Sequence, residues 1–520
     1  MKNLLTTSLF VTTIALSGCN DSDDKSPKDS SNPSPLTLQT YTPGEDAVFA
    51  VASTLISGKK DAILVDAQFQ NQYAKDVVNL IKKSGKNLKY IYISHSDPDY
   101  YFGTNEILKA FPNAKVVSTA QTAYLIQASK EDKLSIWQPQ LAKGDAPEKI
   151  IIPEALNSGY MELDGQKIQV QLDPEDSTHS FLWIPSLKTA LGGISVAYGE
   201  HLWMADTNGV QGIDLWKKQI DKILSLNPEK VIPGHYLKSD FSPKPLDWIK
   251  GYLTNFKTAV TENQSSEGIF GYMKAKYPDL ESSEEVLKMS AQVFAKETDW
   301  KVASPYPPIG QKIQVDFTSL EFDLDVKDHQ NLTFTGAGGA DGPDLSEAVK
   351  YTPVEIAKNI FMVYWHEDKS GDNVVHIQDY NRDIVYTNIA GNDGTIHLKG
   401  KILGVKGVIK DIGLQQVLNK PFFAIGQTLA LNINGQTRRL EFKDQSLLNI
   451  TSGQNTSANI EYLATQVGPE QFMVYWTDDA TKENVVLIID QKQKIIYQNI
   501  AMPDGKFNHH RGTFSLLPKE

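Results

Sequence analysis

The sequence predicts a multidomain protein, an α/β domain followed by an all-β region, and three observations lead there. The chain has 520 residues, more than one hydrophobic core ordinarily serves, so two to four domains are expected. Strand-like runs alternate with helix-period runs over 38–304, the pattern of strands covered by crossover helices. Beyond about residue 305 the texture turns β-rich and repeats itself. "FMVYWHEDKSGDNVVHIQDYNRDIVYTNIAGNDG" from Phe361 matches "FMVYWTDDATKENVVLIIDQKQKIIYQNIAMPDG" from Phe472 without a gap, 111 residues later.

Taken in order, "MKNLLTTSLFVTTIALSGC" has a basic start at Lys2 and a short apolar stretch, Leu9–Leu16. That stretch is too short for a spanning helix and predicts a signal segment over 1–19. Its "LSGC" ending resembles a bacterial lipobox, which implies a lipid on Cys19 and a body tethered in the periplasm. Asn20 after the cysteine leans towards the outer membrane. Cys19 is the single cysteine, so no structural disulfide is expected. Residues 20–37 are polar and rich in Pro and Ser, a flexible linker.

Ala47–Phe69 reads as strand, turn, strand. Ala74, Val77, Val78 and Ile81 fall on one helical face. A strand over Tyr90–Ile93 and another at Ala114–Ser118 follow, then strands near Ile168–Leu172 and Phe181–Ile184. Ile213, Trp216, Ile220 and Leu224 mark a helix before the strand and loop "VIPGHY" (Val231–Tyr236). Residues 245–300 look helical, with "SSEE" at Ser282–Glu285 as a helix start. The repeats occupy 305–410 and 411–520. "IGQKI" at Ile309 pairs with "IGQTL" at Ile425, and Lys327–Asp328 with Lys443–Asp444. That period is too long for a solenoid, and two small barrels are expected because closure removes exposed strand edges.

A net charge of −12 leaves no basic footprint for phosphates and excludes nucleic acid as the expected partner. The chemistry gathers instead at strand ends, where loops carry polar groups off a rigid frame. In "KYIYISHSDPDYYFG", His95, Asp97 and Asp99 stand at alternate positions just past a strand. Asp66 ends the preceding strand, and His235 follows Gly234 after a later one. Imidazole and carboxylate are the donor types that zinc and iron accept.

The order "ILVDAQ", "SHSDPDYYFG", "LWMADT", "VIPGHY" resembles the metallo-β-lactamase superfamily, an αββα sandwich of hydrolases and related enzymes. The resemblance lays the family's H-x-H-x-D-H loop on His95, Asp97, Asp99 and Tyr100. A carboxylate in the second place is also used by the flavodiiron branch. The third-motif ligand would be His179, or Glu175 or Asp173 by counting back from Pro185. The bridging aspartate falls on Ile194, which cannot bridge two cations, so a mononuclear site is implied. The implied ligands are His95, Asp97, Asp99, His179 and His235, around one divalent metal: zinc first, iron or manganese as alternatives. Asp66 would support the loop. Tyr100, His201, Trp203 and Asp206 would border the substrate pocket.

Such a cation lowers the pKa of a bound water and stabilises an oxyanion. With Asp99 and His235 as catalytic groups, the reading is a periplasmic, lipid-anchored, metal-dependent hydrolase of an ester, lactone or amide of a small molecule. The C-terminal "FMVYW", "NVV" and "Y-x-N-I-x-x-x-DG" resemble MoaF-like, lipocalin-like barrels, which could hold a small apolar ligand. The alternative is therefore a catalytically degenerate binding protein whose barrels take a hydrophobic small molecule.

Overall fold

Two β-sheets pack face to face between helical layers, and two β-barrel units follow. The computed structural model describes residues 35–518 apart from 174, 281–282, 299, 340–344 and 392–393. The signal segment, Cys19 and nearly all of the linker lie outside the described residues. At the linker's end Leu36 is buried and Thr37–Tyr41 is a strand.

The first sheet has six strands in chain order: Thr37–Tyr41, Ser53–Ser57, Asp61–Val65, Asn87–Tyr92, Lys115–Ser118 and Glu154–Ala155. Its first three strands run antiparallel, and the rest are joined in parallel. The second sheet orders Lys230–Ile232, Thr189–Leu191, Asp176–Ile184, Gln166–Asp173 and Tyr160–Leu163. Side chains alternate across each strand, so one strand serves two layers. Ile63 and Val65 join Leu182, Ile184 and Leu191 between the sheets, while Leu64 faces the helical side.

The helix Asn71–Ser84 buries Ala74, Val77, Val78 and Ile81, and Gly85 ends it in the left-handed region. On the other side Gly209–Ser225 buries Ile213, Trp216, Ile220 and Ile223, with Leu224 only partly covered. The last helix of the domain spans Glu284–Phe294; the hydroxyl of Ser283 does not cap it and instead accepts the His201 amide at 2.7 Å.

The helix Ala120–Trp137 has no single apolar face because it packs on two bodies. Ile126 joins the α/β core, whereas Tyr124 and Leu125 pack into the first barrel's core beside Tyr306. Asp132 on the same helix pairs with Lys301 at 3.2 Å and with Arg511 of the second barrel at 3.6 Å.

Eight strands, from Gln311–Asp316 to Gly394–Leu403, close the first barrel. Its interior is filled; a cavity of about 30 Å3 beside Trp365 and His376 remains, room for about one water. The second unit is a nine-stranded antiparallel sheet. Its two terminal strands, Asn455–Glu461 and Leu463–Gln466, are consecutive in the chain and flank Tyr462, where the first barrel has one strand, Ser346–Ala357. The second barrel is thus interrupted at one bend. The repeated aspartates hold turns: Asp328 accepts the amides of Gln330 and Asn331, and Asp444 those of Ser446 and Leu447.

The run "FMVYW" is apolar throughout because both faces are buried. Phe361, Val363 and Trp365 fill the first barrel, while Met362 and Tyr364 pack against Met473 and Tyr475 of the second.

Gly103 ends the opening turn of the "SHSDPDYYFG" segment under the first sheet. A Cβ there would lie 2.1 Å from the Ala67 carbonyl oxygen and 2.8 Å from the Ala74 Cβ. Gly103→Ala is expected to cost about 1–3 kcal/mol, read as a lower urea midpoint. An unchanged midpoint would mean that the loop and helix are free to part.

Candidate functional site

The site lies where strand ends of both sheets meet. Asp66, at φ 66°, turns its carboxylate back to accept the Ser94 amide at 2.8 Å and the Ser94 hydroxyl at 2.7 Å. The Gly193 amide donates to the Ser94 hydroxyl at 2.7 Å, and the Ser180 hydroxyl to the Ser94 carbonyl at 3.3 Å. One buried carboxylate thereby ties the histidine-bearing loop to the second sheet. Burial pushes Asp66 up to about 7, against the two Ser94 bonds that favour its ionised form.

From this anchor the chain places His95, Asp97 and Asp99 in buried positions. The Asp97 amide donates to His95 Nδ1 at 3.2 Å, and an Asp97 oxygen stands 3.4 Å from the same nitrogen. The other Asp97 oxygen receives the Lys133 ammonium at 2.8 Å. Lys133 also reaches Asp206 at 3.2 Å, and the Trp300 indole N–H donates to Asp206 at 2.6 Å. Burial alone would raise Asp97, but the Lys133 ammonium and the His95 ring outweigh it and hold the carboxyl well below the usual range. Burial raises Asp206, with Lys133 opposing.

A second charge relay lies beside the first. His235 Nε2 is 2.7 Å from an Asp99 oxygen, and Nδ1 is 3.3 Å from Glu200. Burial disfavours the imidazolium, yet the two carboxylates prevail and push His235 up to about 10. Both ring nitrogens then donate. Gly234 lets the strand-end backbone come close: a Cβ there would lie 2.2 Å from the Gly193 carbonyl oxygen.

Several positions differ from the sequence expectation. Tyr100 is not on a pocket wall; it is fully buried, with its ring 5.4 Å from that of His95 and 5.5 Å from that of His235. Its hydroxyl has no hydrogen-bond partner among the described residues. His179 is near His95, with ring centroids 6.3 Å apart, but its Nδ1 is 2.8 Å from Asp176 and its ring packs on Trp216. Glu175 points away to pair with Lys218 at 2.8 Å, and Asp173 accepts the Glu175 amide. The tight turn between Gln166–Asp173 and Asp176–Ile184 thus leaves no third-motif loop over the site. His201 is a wall residue bonded through Nδ1 to the Tyr252 hydroxyl at 2.9 Å, and burial pushes it down to about 4.

Above these groups opens a cavity of about 140 Å3. Asp97, Asp99, Lys133, Glu200 and His235 reach it, and Ile194 contributes an apolar patch. Phe49, Trp137, Trp203, Trp216 and Trp300 form aromatic walls. Asp206 lies behind Lys133 rather than on the surface of the cavity. Sequence reasoning missed Lys133, Asp176, Glu200 and Trp300. Glu200 adjoins His201, which was a usable signal; Lys133 sits in "SKEDKLSIW", which reads as a solvated face.

Residues 46–235 match the model of the metallo-β-lactamase superfamily, and 309–403 and 425–515 match the MoaF-like model. The chain is 25% identical over 202 residues to the uncharacterized protein YobT of Bacillus subtilis (strain 168), covering 38% of this chain and 82% of that one. Among solved structures it is similar to a metallo-β-lactamase family protein from Thermus thermophilus, at 13% identity and TM-score 0.36 over 50% of this chain and 93% of that one. A metallo-β-lactamase from Pontibacter korlensis aligns at 17% identity and TM-score 0.30, over 42% and 93% of the two chains.

The superfamily usually binds divalent metals, often zinc. The residues present here do not fit one. Lys133 neutralises Asp97, His235 neutralises Asp99, Asp176 holds His179, and Ile194 has no donor atom. Among the described residues no three His, Cys, Asp or Glu side chains converge as a metal would require. The expected ligand set of His95, Asp97, Asp99, His179 and His235 is therefore brought together as neighbours but not as a coordination shell. Sequence match, layered sheets and strand-end loop agree: the chain carries a metallo-β-lactamase superfamily domain followed by two MoaF-like β-barrel repeats.

Proposed function

We propose that the metallo-β-lactamase-fold domain is a metal-independent small-molecule-binding domain, on a chain held in the periplasm at the outer membrane through a lipid on Cys19. The observation that carries it is Lys133: its ammonium lies 2.8 Å from Asp97 and 3.2 Å from Asp206, giving the loop carboxylate a cationic partner from within the chain. His235 does the same for Asp99. With both loop carboxylates paired, the domain has a shaped, aromatic-walled cavity and a rigid polar floor, the features of a ligand site. Metal-bound hydroxide, on which hydrolysis of an ester, lactone or amide would depend, finds no set of free donors among the described residues.

Elemental analysis of full-length protein purified without chelator tests this. Zinc, iron and manganese are each expected far below one per chain, and thermal stability should not change on dialysis against a chelator. One equivalent of metal, together with turnover of an ester or lactone that the chelator abolishes, would establish the hydrolase instead.

A further inference from the structure

We propose that the cavity of the metallo-β-lactamase-fold domain takes a small organic cation, a substituted ammonium group; this deepens the metal-free binding reading and rests on it. Two independent features of the cavity agree on that class. The first is aromatic. Trp203 and Trp300 meet edge to face, with ring centroids 5.6 Å apart at 73°, and Trp137 meets Phe49 at 5.1 Å and 79°. All four rings are only partly buried and line the cavity. Indole faces carry negative potential and attract cations, most strongly where water is excluded. Among the described residues the lysines that lie over rings do so elsewhere, and none covers these indoles.

The second feature is charge. Asp97, Asp99, Glu200 and the rim residue Glu45 reach the cavity, against the cations Lys133 and His235. Asp206 adds a further carboxylate behind Lys133. Carboxylates outnumber cations, so an anionic guest meets repulsion at the floor. A neutral apolar guest would strip water from those carboxylates and return no bond. A cation between the indoles and the floor satisfies both surfaces. At about 140 Å3 the space is below the roughly 300–1,000 Å3 of sites that swallow drug-sized ligands, which suits a head group of few atoms.

The test uses the full-length protein and titration calorimetry, with choline and benzyltrimethylammonium as probes, 3,3-dimethylbutan-1-ol as choline's uncharged isostere, and benzoate as the anion. The ammonium probes are expected to bind at least about tenfold more tightly than the isostere, with benzoate silent. Trp203→Leu and Trp300→Leu should each weaken the ammonium probes about tenfold. Sedimentation with phosphatidylcholine vesicles, against phosphatidylglycerol vesicles that lack the ammonium group, assigns the source. A lipid on Cys19 would anchor the chain to both, so an excess on phosphatidylcholine that Trp203→Leu removes points to a lipid head group, and binding of free choline without that excess points to a dissolved solute. Equal affinity for the isostere overturns the cation class and leaves metal-free binding standing. Absence of binding by every probe also overturns it. One equivalent of metal in the same preparation overturns the underlying reading instead.

Discussion

Replacing Lys133 with Met is expected to lower the unfolding free energy by about 3–5 kcal/mol. Met keeps an unbranched stem as long as lysine's carbon chain, apolar apart from its weakly polar thioether, and ends without the ammonium. Asp97 and Asp206, both facing Lys133 within 3.2 Å, would then be left as buried carboxylates without their shared counter-charge. Burial raises Lys133's cost as a cation, yet Asp206 and Asp97 together hold its pKa above the usual lysine value, so the ammonium is the state that folding selects. Urea unfolding of wild type and K133M at pH 7 measures the difference. A loss below about 1 kcal/mol, the worth of an exposed pair, would show that something else neutralises the two carboxylates, and a metal ion would be the first suspect.

The second large effect is alkaline. His235 is pushed up to about 10 by Asp99 and Glu200, against about 6.5 in an unfolded chain. The folded state therefore holds a proton that the unfolded chain releases between those values. The stabilisation is complete below pH 6.5 and is lost as pH rises through about 10, on the order of 5 kcal/mol at most. Asp66 acts in the same direction at lower pH: its folded pKa of about 7 lies above the usual carboxyl value, so stability falls as pH rises from about 3.8 to 7. Asp97, held low, works oppositely and is lost only in strong acid. Urea midpoints measured from pH 6 to 10 should fall steadily for wild type. In His235→Gln, already less stable, the Asp66 slope remains near pH 7, but the fall from about pH 8 to 10 should be nearly absent. A wild-type curve that rises or stays level would remove the imidazolium from between Asp99 and Glu200.

Much of the fold was legible because its signals are local. The helix around Ala74–Ile81 and the strand before His95 follow from spacing alone, and the paired "FMVYW" runs announce the repeats. The helix Ala120–Trp137 was not legible, because its apolar residues divide between the α/β core and the first barrel and so show no single stripe. The site divides in the same way. His95, Asp97, Asp99 and Asp66 could be placed together because Asp66 and the loop carrying the other three follow two neighbouring strands of one sheet, and His235 because it follows Gly234. Glu175 and His179 could not be assigned, since the answer depended on a tight turn that sends Glu175 to Lys218 and His179 to Asp176.

By itself, then, the sequence determined the order of layers, the repeat and the gathering of acidic and imidazole groups at strand ends, all of which are written in periodicity and short-range spacing. Only the tertiary structure decided what neutralises those groups. Lys133 is 36 residues from Asp97, and Glu200 is 35 from His235; nothing in residue type marks a lysine as a counter-ion rather than a solvated surface group. That choice is made by burial, which removes water from the carboxylates and makes the nearest ammonium and imidazolium their partners.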